Sequence, residues 1–139
     1  MPQPPKPSPK TFRLVGTERA NGRPQAHPRP PGTPHGDWLG DQRVFTDDLV
    51  DDKGKPVGHH SGHCTLVRIG PGDQRTYQCF ATFDLPGGLL MGSTMFSLPP
   101  AGGLRVAILG GTSDFREAAG QIEASFPAPA ITEFKFQLA

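Results

Sequence analysis

The sequence predicts an all-β domain, an antiparallel sandwich or barrel of about eight strands. Three observations predict it. Short runs of β-prone residues recur at close intervals, divided by Gly, Pro and Asp clusters. No helical period is sustained; Ser113–Ala119 offers at most a turn or two. And Val57–Phe83 reads as one long hairpin around a Gly70-Pro71-Gly72-Asp73 turn, where Pro presets φ and Gly allows φ > 0. About eight strands is also the count at which a closed barrel just holds side chains or one small ligand.

The elements follow in order. Residues 1–10 form a Pro/Lys tail, expected to be disordered. Thr11–Glu18 is a first strand, with Phe12 and Leu14 on one face. Arg19–Gly36 is rich in Pro, Gly and Arg and has no period, so it is either a loose loop or a lid. Arg43–Asp51 is a strand that ends at an Asp52-Lys53-Gly54-Lys55 turn. Val57–Ile69 and Arg75–Leu85 make the central hairpin. If it is symmetric, Cys64 faces Cys79 and Leu66 faces Tyr77. One face then carries Cys64, Leu66, Tyr77, Cys79, Ala81 and Phe83, either as plain core or as the wall of a ligand cavity. Pro86-Gly87-Gly88 turns into Leu89–Leu98, and Pro99–Gly103 breaks that strand. Leu104–Leu109, a bent strand over Phe115–Phe126, and Ile131–Leu138 complete residues 11–139 as a single domain.

Composition excludes several classes. The net charge is +1 with both signs interspersed, which gives no footprint for nucleic acid or an anionic membrane. No apolar run approaches the roughly 20 residues of a membrane span. MPQPPKPSPK lacks the apolar segment of a signal peptide, so a cytoplasmic location is expected. In a reducing compartment Cys64 and Cys79 are expected as free thiols. A chain this long buries roughly 70% of its unfolded surface and needs no covalent staple.

Each chemistry-bearing cluster has a bland reading beside the sharp one. His59, His60, His63 and Cys64 invite a metal. On a strand, however, His59 and His63 lie about 13 Å apart at roughly 3.3 Å per residue, too far to share an ion bound at about 2 Å. No metal is expected. His60 is kept as a candidate because it shares the face of Cys64. Gly110-Gly111-Thr112 has no helix after it to bind a phosphate, so no dinucleotide is expected. Asp47, Asp48, Asp51 and Asp52 read as a solvated edge running into a turn. Asp47 shares the face of Phe45, which leaves a buried acid suited to proton transfer as the alternative. No Ser/His/Asp or Cys/His nucleophile pattern is present.

The ordered set Gly36-Asp37, Phe45 with Leu49, Val57-Gly58, Gly62-x-Cys64, Gly87-Gly88, and Ile108-Leu109-Gly110-Gly111-Thr112 leading to Phe115, Ala118 and Gly120-Gln121 resembles the allene oxide cyclase-like barrel family. That family shares its eight-stranded antiparallel β-barrel with dirigent proteins. The resemblance covers residues 36–139, and more loosely residue 11 onward, and implies a barrel, a dimer or trimer, and a hydrophobic small molecule held inside. The plant cyclases use a glutamate on the first strand; the matching position here is Val15, and Glu18 lies further on. A bacterial branch that performs [4+2] cyclisations in polyketide (spirotetronate-type) pathways is more similar. Its tyrosine in a Thr-Tyr-Gln-like context and its cavity aromatic match Tyr77 and Phe45.

The resemblance therefore implies a cyclase or isomerase working without a cofactor, with Tyr77 as the catalytic hydrogen-bond donor. A pericyclic step needs a folded substrate in a dry cavity more than a strong acid or base. Trp38, Phe45, His60, Cys64, Leu66, Cys79, Phe83, Met91 and Met95 are the expected wall, with Trp38 at the mouth. The alternative for each is that it fills the barrel, and for the whole chain a non-catalytic carrier of a hydrophobic molecule.

Overall fold

Eight antiparallel strands close on themselves in the order β1-β2-β3-β4-β5-β6-β7-β8 in a computed structural model, which describes residues 10–22, 38–98 and 103–139. The strands are β1 (Lys10–Gly22), β2 (Gln42–Val50), β3 (Pro56–Ile69), β4 (Arg75–Leu85), β5 (Gly88–Leu98), β6 (Leu104–Gly111), β7 (Gly120–Ala128) and β8 (Ile131–Leu138). The expected eight-stranded antiparallel β-barrel is the fold. No helix of the described residues is long and apolar enough to cross a membrane. The expected Pro-rich tail, apart from Lys10, and most of the expected lid lie outside the described residues.

Closure gives every strand two neighbours, so alternate residues point into the barrel and out of it. Phe12, Leu14 and Gly16 on β1 face inward. So do Phe45, Asp47 and Leu49 on β2, and Phe134, Phe136 and Leu138 on β8. The lower end, where the β2–β3, β4–β5 and β6–β7 turns lie, is packed solid. Leu49, Leu85, Leu90, Ile108, Ile122 and Phe136 fill it. A separate small cluster of Leu66, Tyr77 and Cys79 sits toward the opposite end, beside Ile69 and Phe96.

Three local departures from the sequence reading have physical causes. β1 does not stop at Glu18: a bulge between Glu18 and Ala20 absorbs one residue, pairing resumes at Ala20 with Thr46, and Asn21 lies opposite Phe45. Arg19–Gly22 is thus strand, anchored by the Arg19–Asp48 ion pair, rather than loop. β7 does not begin at Phe115. Ser113–Phe115 is a 3₁₀ turn, the short helical turn that stretch allows, and the strand starts at Gly120 (φ +124°). Asp51 leaves β2 because its carboxylate accepts the N–H groups of Lys53 and Lys55, both at 2.9 Å, and so shapes the β2–β3 turn.

Candidate functional site

The central hairpin has the expected register. Cys64 pairs with Cys79 and Leu66 with Tyr77, while His60 pairs with Phe83 and Gly62 with Ala81. These pairs stack as successive layers up the barrel. Cys64 and Cys79, expected as free thiols, form a disulfide with Cα atoms 4.0 Å apart. The correction follows from the register itself: two cysteines held directly opposite on paired strands are already within bonding reach.

Above the packed lower end the barrel is hollow. The cavity has a volume of about 410 Å³. Its floor is made by His60, Asp47, Phe83 and Phe134; the disulfide, Ala81, Gly92, Thr94 and Phe96 form one wall. Its mouth is rimmed by Glu18, Asn21, Phe126 and the β7–β8 turn at 128–131. Small residues make the room. A Cβ on Gly62 would lie 2.8 Å from the Phe45 ring and 2.4 Å from the Phe80 carbonyl oxygen, so only glycine lets Phe45 lean across this layer.

The two buried polar side chains of the described residues meet on this floor. Asp47 and His60 are 7% and 6% exposed, and His60 Nδ1 lies 2.7 Å from Asp47 Oδ2. Asp47 is therefore the buried acid rather than part of the solvated edge expected from its neighbours. β2 parity places it with Phe45 and Leu49, and its register partner on β3 is His60. Asp48 and Asp52 do remain exposed. Aromatic rings box the imidazole: it stacks on Phe83 at 4.4 Å, meets Phe134 edge-on at 5.0 Å, and lies 5.2 Å from Phe45.

The box fixes the histidine's two nitrogens in different roles. With Asp47 ionised, Nδ1–H donates to the carboxylate and Nε2 carries the lone pair. Every fully buried side-chain nitrogen or oxygen among the described residues has a partner. Nε2 has none, so it opens on the cavity that His60 lines. A histidine oriented by a carboxylate and facing a largely apolar cavity can accept a proton there and return it.

The other expected wall residues divide. Phe45, His60, Cys64, Cys79 and Phe83 line the cavity. Leu66 and Tyr77 do not. Tyr77 is 2% exposed, stacked on Phe96 at 5.9 Å with the Arg43 guanidinium 5.8 Å from its ring, one layer beyond the disulfide. Met91 and Met95 point outward, Met95 being 65% exposed, and Trp38 lies on the surface with its backbone N–H on Asp41. The methionines fail by parity: Leu90, Gly92, Thr94 and Phe96 are the inward set of β5, and the strand is apolar on both faces. Glu18, Thr94, Phe96, Val106, Phe126 and Phe134 were not anticipated. The Phe134-x-Phe136 alternation in β8 carried a readable signal for the last of these.

His59 and His63 face outward, as their parity requires; His59 lies 3.7 Å from Asp84, and His63 rests against Phe80. No group of three or more metal-ligating side chains occurs among the described residues. A second hollow of about 670 Å³ is rimmed by charged side chains, Arg13, Asp52, Arg105, Glu123, Glu133 and Lys135, with no histidine or cysteine among them.

Fold and cavity together define a hollow eight-stranded barrel with an Asp–His pair on its floor. No family model and no curated protein sequence matches the chain. Among solved structures it is similar to a pyocyanin demethylase, at 25% identity and a TM-score of 0.74, over 94% of this chain and 100% of that one. An exo-specific intermolecular Diels-Alderase is similar at 16% identity and a TM-score of 0.70, over 95% and 98% of the two chains. A pterocarpan synthase dirigent protein follows at 20% identity and 0.66, over 98% and 87%. The fold is thus the cyclase and dirigent barrel that the sequence resembles.

Proposed function

We propose that the chain is an enzyme that holds a mostly apolar, ring-bearing small molecule inside the barrel and moves a proton on it through His60. The observation that carries this reading is the Asp47–His60 pair opening on the cavity. A volume of about 410 Å³ falls in the range of small-molecule sites, roughly 300–1,000 Å³. Nε2 takes a proton from an acidic C–H, N–H or O–H of the conjugated substrate. The imidazolium so formed is stabilised by the Asp47 carboxylate. Nε2–H then delivers the proton to another atom of the same molecule, which completes an isomerisation or prepares a ring closure. No atom is gained or lost. The reading keeps the expected cyclase or isomerase class without a cofactor; Tyr77, beyond the disulfide, takes no part in it.

A second reading is supported by the Diels-Alderase likeness: a [4+2] cyclisation of a polyketide-like intermediate, driven by cavity shape alone. The two differ in one variant. Replacing a general base lowers turnover by roughly 10²–10⁴-fold, whereas a shape-catalysed cycloaddition tolerates His60→Gln. The first probe is pyocyanin, followed by its visible absorbance, with a linear diene–dienophile polyketide as the second. Saturable binding to the wild type, weakened in the cavity-filling variant Ala81→Leu, supports the proposal. Wild-type protein that binds neither probe refutes it.

Two further expectations enter as proposals. A homo-oligomer is supported by exposed apolar side chains on β2–β6, Val44, Val67, Phe80, Met95 and Leu109. Against the expected cytoplasmic location, the Cys64–Cys79 bond favours an oxidising compartment.

A further inference from the structure

The cavity's charge is as one-sided as its walls are aromatic. Two carboxylates, Glu18 and Asp47, and one histidine line it, and no lysine or arginine of the described residues does. The lining is therefore negative whether His60 is neutral or protonated. Arg43, the inward-facing cation nearest in register, directs its guanidinium over the Tyr77 ring instead. Glu18 reaches the rim because β1 parity turns it inward beside Asp47, its register partner. Its backbone N–H is bonded to the Ala130 carbonyl oxygen at 2.9 Å, which fixes the strand there. Its carboxylate makes no hydrogen bond or ion pair with the described residues.

The remaining lining supplies π faces. Phe45, Phe83 and Phe134 surround the floor, and Phe96 and Phe126 stand higher. Aromatic faces attract cations, more strongly once water is excluded. A compact ammonium loses much hydration on entering such a site, whereas a charge spread over a planar system loses less. Depth, charge and aromatic walls thus select one ligand chemistry.

We infer that the cavity prefers a flat aromatic cation, such as an N-alkylated heteroaromatic, over neutral or anionic molecules of the same shape. The inference rests on the proposed function in taking the cavity as the substrate site, and it adds the substrate's charge. Glu18 at the mouth is its specificity residue.

The test titrates N-methylphenazinium, phenazine and phenazine-1-carboxylate, three ligands of nearly equal ring size, into the full chain. The cation is expected to bind about tenfold more tightly than phenazine, and the anion more weakly than phenazine. Glu18→Gln, an exposed rim change, should cut the cation's advantage about threefold and leave phenazine within about twofold. High salt should act in the same direction. Equal affinity for all three ligands, or a preference unchanged in Glu18→Gln and in Asp47→Asn, overturns the charge inference and leaves the cavity reading standing. Failure of all three to bind overturns both.

Discussion

Removing the Cys64–Cys79 bond should loosen the barrel by an amount that the chain length between the cysteines sets. The two are 15 residues apart in sequence. Opening a loop of that size returns about 10 cal/mol/K of chain entropy to the unfolded state, or about 3 kcal/mol at 25 °C. With roughly 2.1 cal/mol/K of unfolding entropy per residue, a chain of 139 residues should lose roughly 10 °C in Tm. The assay is calorimetry on the wild type with and without reductant, beside the Cys64→Ala/Cys79→Ala variant. Reduction and mutation should converge, because both release the same loop. The far-ultraviolet spectrum should stay that of a barrel, since the register of β3 and β4 rests on ten backbone-paired positions and not on the bond alone. A Tm change under about 3 °C, or two titratable thiols in protein purified without reductant, refutes the reasoning.

Three other outcomes follow from named contacts. Asp47→Ala strands the His60 Nδ1–H inside the barrel and should destabilise the fold by about 1–3 kcal/mol in urea. Asp47→Leu with His60→Phe should recover most of that loss while abolishing turnover, and a double variant as unstable as the single one would count against the buried pair. Gly58→Ala should destabilise by more than about 2 kcal/mol. Its φ is +144°, and a Cβ there would sit 1.8 Å from the Asp84 carbonyl oxygen; a chevron or melt matching wild type would contradict this. The Asp51 carboxyl is held below its usual range, chiefly by the Lys55 N–H, with the Lys53 N–H and both lysine charges adding to it. A lowered folded value means this turn's contribution is complete above the ordinary carboxylate pKa of about 3.9 and fades as pH falls through the folded value. A carbon-detected NMR titration of Asp51 reads it directly, and a midpoint at or above the ordinary value would show the turn differently built.

Much of the fold was legible because turn chemistry is local. Gly70-Pro71-Gly72-Asp73 and Gly87-Gly88 mark their hairpins in the sequence, and the first of these, together with a bulge between Leu66 and Arg68, brings Cys64 opposite Cys79 across fifteen residues. Half of the site was legible for the same reason. Once Cys64 faces inward, parity carries His60 with it, and Phe45 carries Asp47. What sequence did not show was contact between those two residues, since β2 and β3 are aligned by a turn whose bulge at Leu49/Val50 has no signature of its own. The methionines show the opposite failure. In LLMGSTMFSL both strand faces are apolar enough to be the inside, and only closure against Val106 and Ile108 of β6 decides between them. The thiols were misjudged by reasoning from compartment to chemistry, when geometry was the stronger constraint.

The bulge after Glu18 shows what closure permits such a chain to change. Along each strand two texts are interleaved, one read by the ligand and one by the surroundings, and every residue belongs to a single text. Substitutions edit either text without disturbing the other, which lets a barrel keep its frame while its contents are rewritten. A single inserted residue does something different: it exchanges the two texts from that point to the strand's end. At Glu18 the exchange is used once, so that an acid and, three residues on, an amide both address the same interior. Variation in this barrel is therefore continuous in side chains and discrete in length.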